Sequence, residues 1–223
     1  MQNRRHFVES SSVVATAWLA GCMKEDSNAV RLDGRPVVVD LPLLEELREL
    51  DRKIMERFPT TYGDSGIGQM GLLLVRNLER WPYWCTPKNG LCFGHTGGDG
   101  AHFNFIVQNG RIDANTPVIV TVPDAYTDHP RDSNVVLADS LRNFLRLGLI
   151  RGYFSMGNFA HEGYDAQRYY ASASWDKKEE WQPSDNHQAV AEYVADALHL
   201  KPLAYTQSEL QDLQARFKGQ LLF

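Results

Sequence analysis

Apolar residues recur at three- and four-residue intervals from Leu43 to Phe58, at Leu43, Leu44, Leu47, Leu50, Ile54, Met55 and Phe58, with Glu and Arg on the intervening positions. This spacing predicts a helix with one buried face, and Pro59 stops it. From His102 to Val107 the period shortens to two. Phe103, Phe105 and Val107 alternate with His102, Asn104 and Ile106, as in a strand. Asn109-Gly110 marks a turn, and Val118–Val122 is a short apolar run typical of a buried strand. Asp139 is the expected cap of a second helix, with Leu141, Phe144, Leu145 and Leu149 buried and Gly152 after its end. Asp185-Asn186-His187-Gln188 has capping-box form ahead of Val190, Tyr193, Val194, Ala197 and Leu198. Thr206-Gln207-Ser208-Glu209 opens a last helix in the same way. Ser155–Pro183, rich in aromatic and polar residues, has no clear period, and its Trp175–Trp181 stretch is expected as a surface excursion. Together these elements predict one α+β domain, a central and mainly antiparallel sheet flanked by helices.

Composition adds limits. The 223 residues are 43% hydrophobic and 23% charged, enough apolar material for a core. The net charge of −5 and the lack of a basic stripe argue against a nucleic-acid partner. The uncharged run Ser10–Met23 is fourteen residues long, short of the roughly 20 that a spanning helix needs. Met1–Cys22 has the layout of a signal peptide: Arg4 and Arg5, then Phe7-Val8, a mildly apolar Val13–Ala20, and Leu19-Ala20-Gly21-Cys22. It resembles a bacterial twin-arginine lipoprotein signal, although Glu9 stands where a basic residue is often found. The resemblance implies that residues 1–21 are cleaved and that Cys22 carries the lipid. Residues 22–35 would then be a polar tether, and 36–223 the folded domain. The protein would hang from the bacterial cell envelope by its lipid alone, facing the periplasm. Met23 after the cysteine resembles the outer-membrane sorting case. An unused signal would leave the chain in the cytoplasm.

With Cys22 assigned to lipid, Cys85 and Cys92 remain. A hairpin loop at Pro87–Gly90 would place them opposite each other at disulfide distance, while two buried free thiols are the other reading. The spacing has no second cysteine pair to make a zinc site.

The segment Trp81–Phe154 carries the most specific pattern. Trp81-Pro82-Tyr83-Trp84-Cys85-Thr86-Pro87 is followed by Gly94-His95-Thr96-Gly97-Gly98-Asp99-Gly100-Ala101-His102-Phe103. Then come Thr116-Pro117-Val118-Ile119-Val120-Thr121-Val122-Pro123 and Asn143-Phe144-Leu145-Arg146-Leu147-Gly148. This order, about a third of the chain, resembles the SUKH superfamily of bacterial proteins. Many members are immunity proteins that bind and block a toxin. The resemblance implies a SUKH-like fold and a non-enzymatic module that recognises a protein partner, with no cofactor and no catalytic residues to carry over. Members of that group are mostly cytosolic, so an exported one would meet its partner in the periplasm.

Gly97, Gly98 and Gly100 would cradle phosphate only if a helix followed, and the strand pattern after them points to a tight turn with positive φ. His95, Asp99 and His102 lack a fourth metal ligand and are expected as exposed side chains of that turn, where Asp99 hydrogen-bonds locally. Asp64-Ser65-Gly66 lacks the pattern of a hydrolase nucleophile. His161 with Glu162 or Asp165 is a further acid–base possibility. Trp81, Tyr83 and Trp84 are either interface anchors or core packing. The leading expectation is a binder that recognises its partner through acidic and aromatic patches, with Trp81, Trp84, Gly97, Gly98, Asp99, Gly100 and His102 as candidate partner-binding or turn residues. The alternative is an envelope hydrolase acting on wall or glycan near His95, Asp99 and His102.

Overall fold

A computed structural model of the chain describes residues 29–59, 65–125, 127–161 and 186–223. The expected signal with Arg4, Arg5 and Cys22 lies outside the described residues. So do Asp64, Glu162, Asp165, Trp175–Trp181 and Asp185.

Short strands β1 (Arg31–Leu32), β2 (Arg35–Pro36) and β3 (Val38–Val39) lead into helix α1 (Pro42–Arg57). A 3-10 turn at Ile67–Met70 leads to β4 (Leu73–Glu79), β5 (Gly90–His95), β6 (His102–Ile106), β7 (Arg111–Ile112), β8 (Val118–Thr121) and β9 (Asn134–Ala138). Helices α2 (Leu141–Arg151), α3 (Asn158–His161), α4 (His187–Ala197) and α5 (Gln207–Phe217) follow. The main sheet has the order β4-β5-β6-β8-β9 with every neighbour antiparallel. The chain is therefore an α+β domain with a central antiparallel sheet. A parallel pair, β3 with β7, stands outside that sheet.

The alternation in β6 sets the layers. Phe103 and Phe105 face the large core with Phe93 of β5, where the rings of Phe93 and Phe105 stack at 4.3 Å. Phe144 of α2 closes on Phe103 at 4.9 Å and on Phe93 at 5.4 Å, edge to face. The same core takes Leu44, Leu47, Leu50 and Ile54 of α1 and Val190 and Val194 of α4. Ile106 faces the other way, joining Ile119, Val136, Leu213 and Leu221 under α5. All five residues of β6 are buried because both faces of the sheet are covered.

Gln214 of α5 donates to the Val136 carbonyl at 2.7 Å and accepts from the Val136 N–H at 3.0 Å. It thereby satisfies an outward backbone pair on edge strand β9. At the opposite edge, Arg48 of α1 donates to the carbonyls of Val75 and Arg76.

Local expectations are corrected at several points. The N-cap of α2 is Ser140, whose hydroxyl accepts from the Asn143 N–H, while Asp139 accepts from the Asn143 side-chain amide. Helix α4 has Asn186 as its N-cap, with no side-chain cap bond, and Gln188 bonds Glu192; the expected box at Asp185 lies outside the described residues. The box at Thr206 and Glu209 is present. The expected tether ends before residue 36. Val30 and Leu32 pack against the core, and Asp33 and Gly34, both at positive φ, turn β1 into β2. Phe154–Gly157 and α3 show that the aperiodic stretch begins as helical turns.

The expected disulfide is also corrected: Cys85 and Cys92 are free and buried. Cys92 lies opposite Glu79 and Asn104 in the sheet, and Cys85 belongs to the loop joining β4 to β5. The partner strand of β5 on that side is β4, so no hairpin pairs the two thiols.

Candidate binding surface

Residues 80–89 cross the second face of the sheet, beside the area that α5 covers. Polar groups of the sheet hold the end of this loop. The Asn104 amide donates to Thr121 Oγ1 at 2.9 Å, Thr121 donates to Asn134 Oδ1 at 2.6 Å, and the Asn134 amide donates to the Cys85 carbonyl at 2.9 Å. Arg80 donates to the carbonyls of Thr86 and Pro87. Asn89 accepts from the Leu222 N–H and donates to the Gln220 carbonyl, which ties the C-terminal residues to the loop. The amides of Asn104 and Asn134 and the Thr121 hydroxyl thus find acceptors across the sheet, while Asn104 Oδ1 is buried with no hydrogen-bond partner among the described residues.

Above this base stand the three aromatic residues. Trp84 is 53% exposed and Tyr83 36%, two of the few exposed large apolar side chains among the described residues. Trp81 is half-buried, its ring 5.0 Å from His95 and 5.1 Å from His102. Tyr83 stacks on His102 at 5.2 Å. Of the two readings for these rings, plain core packing does not describe Tyr83 and Trp84.

The glycine segment is the β5–β6 hairpin turn. Asp99 Oδ1 accepts from the Thr96 hydroxyl at 2.6 Å and from the Ala101 N–H at 3.1 Å. Gly97 and Gly100 have φ of 129° and 75°, a region that side chains disfavour. A Cβ on Gly100 would also sit 3.1 Å from Tyr83 Oη, whereas Gly97 and Gly98 face open space. Phosphate binding finds no support here, since the turn runs into a strand.

His102 corrects the expectation of an exposed turn residue, for it is fully buried. Its Nδ1 lies 2.8 Å from the Gly100 carbonyl and its Nε2 3.0 Å from the Thr86 hydroxyl. A carbonyl only accepts, so Nδ1 carries the proton and Nε2 accepts from Thr86. Burial pushes the pKa of His102 down to about 4, opposed by the Gly100 carbonyl and aided by neighbouring His95. His95, directly across the β5–β6 ladder, is only partly buried. Burial lowers its pKa too, with Asp99 and the Gly97 carbonyl working the other way.

His95, Asp99 and His102 are neighbours but do not converge on one point. Among the described residues no three His, Cys, Asp or Glu side chains form a set that could hold a metal ion. The described clefts lie elsewhere. One of about 660 Å³ runs between Leu43, Asn115, Arg142 and Arg216, and one of about 430 Å³ between Val30, Arg48 and Leu78. Sequence reasoning missed the polar layer Asn104–Thr121–Asn134. Its available signal was the polar pair His102 and Asn104 on the alternate face of β6.

No family model, characterised protein or solved structure matches this chain. Among the described residues no helix is long and apolar enough to cross a membrane.

Proposed function

We propose that this chain is a non-enzymatic binding protein of SUKH-like character that holds a protein partner, a toxin or effector, at the bacterial envelope. The observation that carries the reading is the half-exposed Trp84 beside Tyr83, on a loop whose far end is fixed by the buried Asn104–Thr121–Asn134 layer. Large, rigid aromatics held in place before binding lose little entropy on contact and are the commonest anchors of protein interfaces. Exposed Glu79 and Asp99 flank the rings. With the net charge of −5 they favour a basic partner, whose approach long-range attraction would speed. The lipid on Cys22 would keep this surface at the membrane.

The test is affinity capture from the native host by the tagged full-length chain, alongside Trp84→Ala. The reading expects one stoichiometric, basic protein that is lost with the variant and weakened by salt. Capture of nothing, or equal capture by both proteins, overturns it. In that case the hydrolase alternative would be tested next, on wall fragments. Intact-mass analysis of membrane-extracted protein checks the anchor, and an unmodified Met1 terminus in the soluble fraction refutes it.

A further inference from the structure

The rings of the binding surface rest on two imidazoles. Trp81 spans His95 and His102 at 5.0 and 5.1 Å, and Tyr83 covers His102 at 5.2 Å. Among the described residues the backbone of 81–84 makes one hydrogen bond, the local turn bond from the Thr86 N–H to the Tyr83 carbonyl. Ring stacking is therefore what seats this part of the loop on the sheet. The residues from Thr86 onward are held independently by Arg80, Asn89 and Leu222.

The surroundings of His102 suit its neutral form. From β5 it faces His95, on which Asp99 of the turn acts, and Asp99 Oδ1 is itself engaged by Thr96 and Ala101. The loop contributes Tyr83 and Cys85, and the guanidinium of Arg80 points to the Thr86 and Pro87 carbonyls. Asp124, beyond β8, acts on Cys85. Thr121 of β8 and Asn134 of β9, in register with His102, carry no charge. Among the described residues the hydrogen-bond partners of His102 are Thr86 and Gly100, and no carboxylate reaches it.

A second proton on His102 would turn Nε2 from acceptor to donor, a role the Thr86 hydroxyl meets by accepting, and set a positive charge beside His95. The faces of Trp81 and Tyr83 would attract that charge, but a buried ion without a counter-ion needs its hydration shell back. The least tethered cover between the ring and water is Trp81–Tyr83.

Building on the binding reading above, we infer that His95 and His102 form an acid-operated latch. When His102 is protonated, a step that a charged His95 opposes, Trp81 and Tyr83 lift from the sheet and the aromatic surface is dismantled, while the core stays folded.

The test is an NMR titration of the labelled full-length protein from neutral to acid pH. It follows the histidine rings, the Trp81 indole, the Tyr83 ring and the backbone amides of Val118–Thr121. Trp81 and Tyr83 should change with the midpoint of His102 while the β8 amides keep their native positions. His102→Asn should abolish the change. His95→Gln removes the like charge but leaves the buried His102 ring, so the midpoints of His102 and of the Trp81–Tyr83 change should move up together. The latch is overturned if Trp81 stays packed while His102 titrates, or if the β8 amides collapse at the same pH. Persistence of the change in His102→Asn overturns it as well. Should His102→Asn not fold, the His95→Gln shift decides, and no shift overturns the proposal. No partner is present in the experiment, so failure of the latch leaves the binding reading standing. Failure of the capture experiment leaves the latch measurable.

Discussion

Gly148 lies inside α2, where glycine costs a helix about 1 kcal/mol relative to alanine. Local propensity alone therefore makes Gly148→Ala stabilising. The tertiary structure reverses the sign. A Cβ at this position would stand 2.1 Å from Tyr153 Cζ, 2.2 Å from Cε1 and 2.6 Å from Oη. The Tyr153 ring is fully buried against Phe144 at 5.0 Å and Phe103 at 6.4 Å, and its hydroxyl donates to the Leu145 carbonyl at 3.1 Å. The ring has no free volume to move into, and moving it would break that bond. Overpacking costs about 1–3 kcal/mol, and a buried hydroxyl without its acceptor about 1–3 more. After subtracting the propensity gain, Gly148→Ala should destabilise by about 3 kcal/mol. Urea unfolding of the full-length chain, followed by far-ultraviolet circular dichroism, measures this. The same substitution on a Tyr153→Leu background, where the clashing ring atoms are gone, should cost almost nothing or recover the helix gain. A neutral or stabilising Gly148→Ala, or an equal cost in both backgrounds, would refute the close-contact argument.

Trp84→Ala removes a half-exposed ring, so stability should change by less than about 1 kcal/mol, while affinity for the captured partner falls at least about 30-fold, or roughly 2 kcal/mol. Unchanged affinity would take Trp84 out of the interface. His102 and His187 are both lowered by burial to about 4. Their unfolded forms take protons near the ordinary value of 6.5, so each contribution is complete above that pH and is lost as pH falls from 6.5 towards 4. The loss is at most about 3 kcal/mol per histidine. Asp51, raised by burial, works in the opposite sense in the carboxylate range. Flat denaturant midpoints across that window would refute the buried-neutral assignment. Burial pushes the Cys92 thiol up to about 12 and raises that of Cys85 as well. Alkylation at mildly alkaline pH, located by peptide mass, should reach these two residues only after unfolding, and reductant should not alter stability. A Cys85–Cys92 linked peptide would contradict this.

The strongest local signals survived folding because short-range physics decides them. The apolar stripe of α1, the Thr206–Glu209 box, the alternation in β6 and the positive-φ turn at Gly97–Gly100 each depend on residues only a few positions apart. Where two neighbours compete for one role, as Asp139 and Ser140 do for the cap of α2, side-chain chemistry does not choose between them. Ser140 takes it because its backbone is extended, with φ −161° and ψ 158°.

Long-range pairing settled the rest. Cys85 and Cys92 suggested a hairpin, yet β5 finds its partner in β4, ten residues of loop away, and strand register is a property of the assembled sheet. His102 and Asn104 alternate with phenylalanines, and His102 reads as an exposed turn residue. They are buried because a distant layer covers them, as the bond from Asn134 to Cys85, 49 residues apart in the chain, illustrates. The sequence by itself determined the class of fold, most helix positions and the glycine turn, since periodicity and backbone preference are local. Only the tertiary structure decided which aromatics meet water, which histidine is sealed and which thiols stay apart, because each depends on what the remainder of the chain lays over that residue.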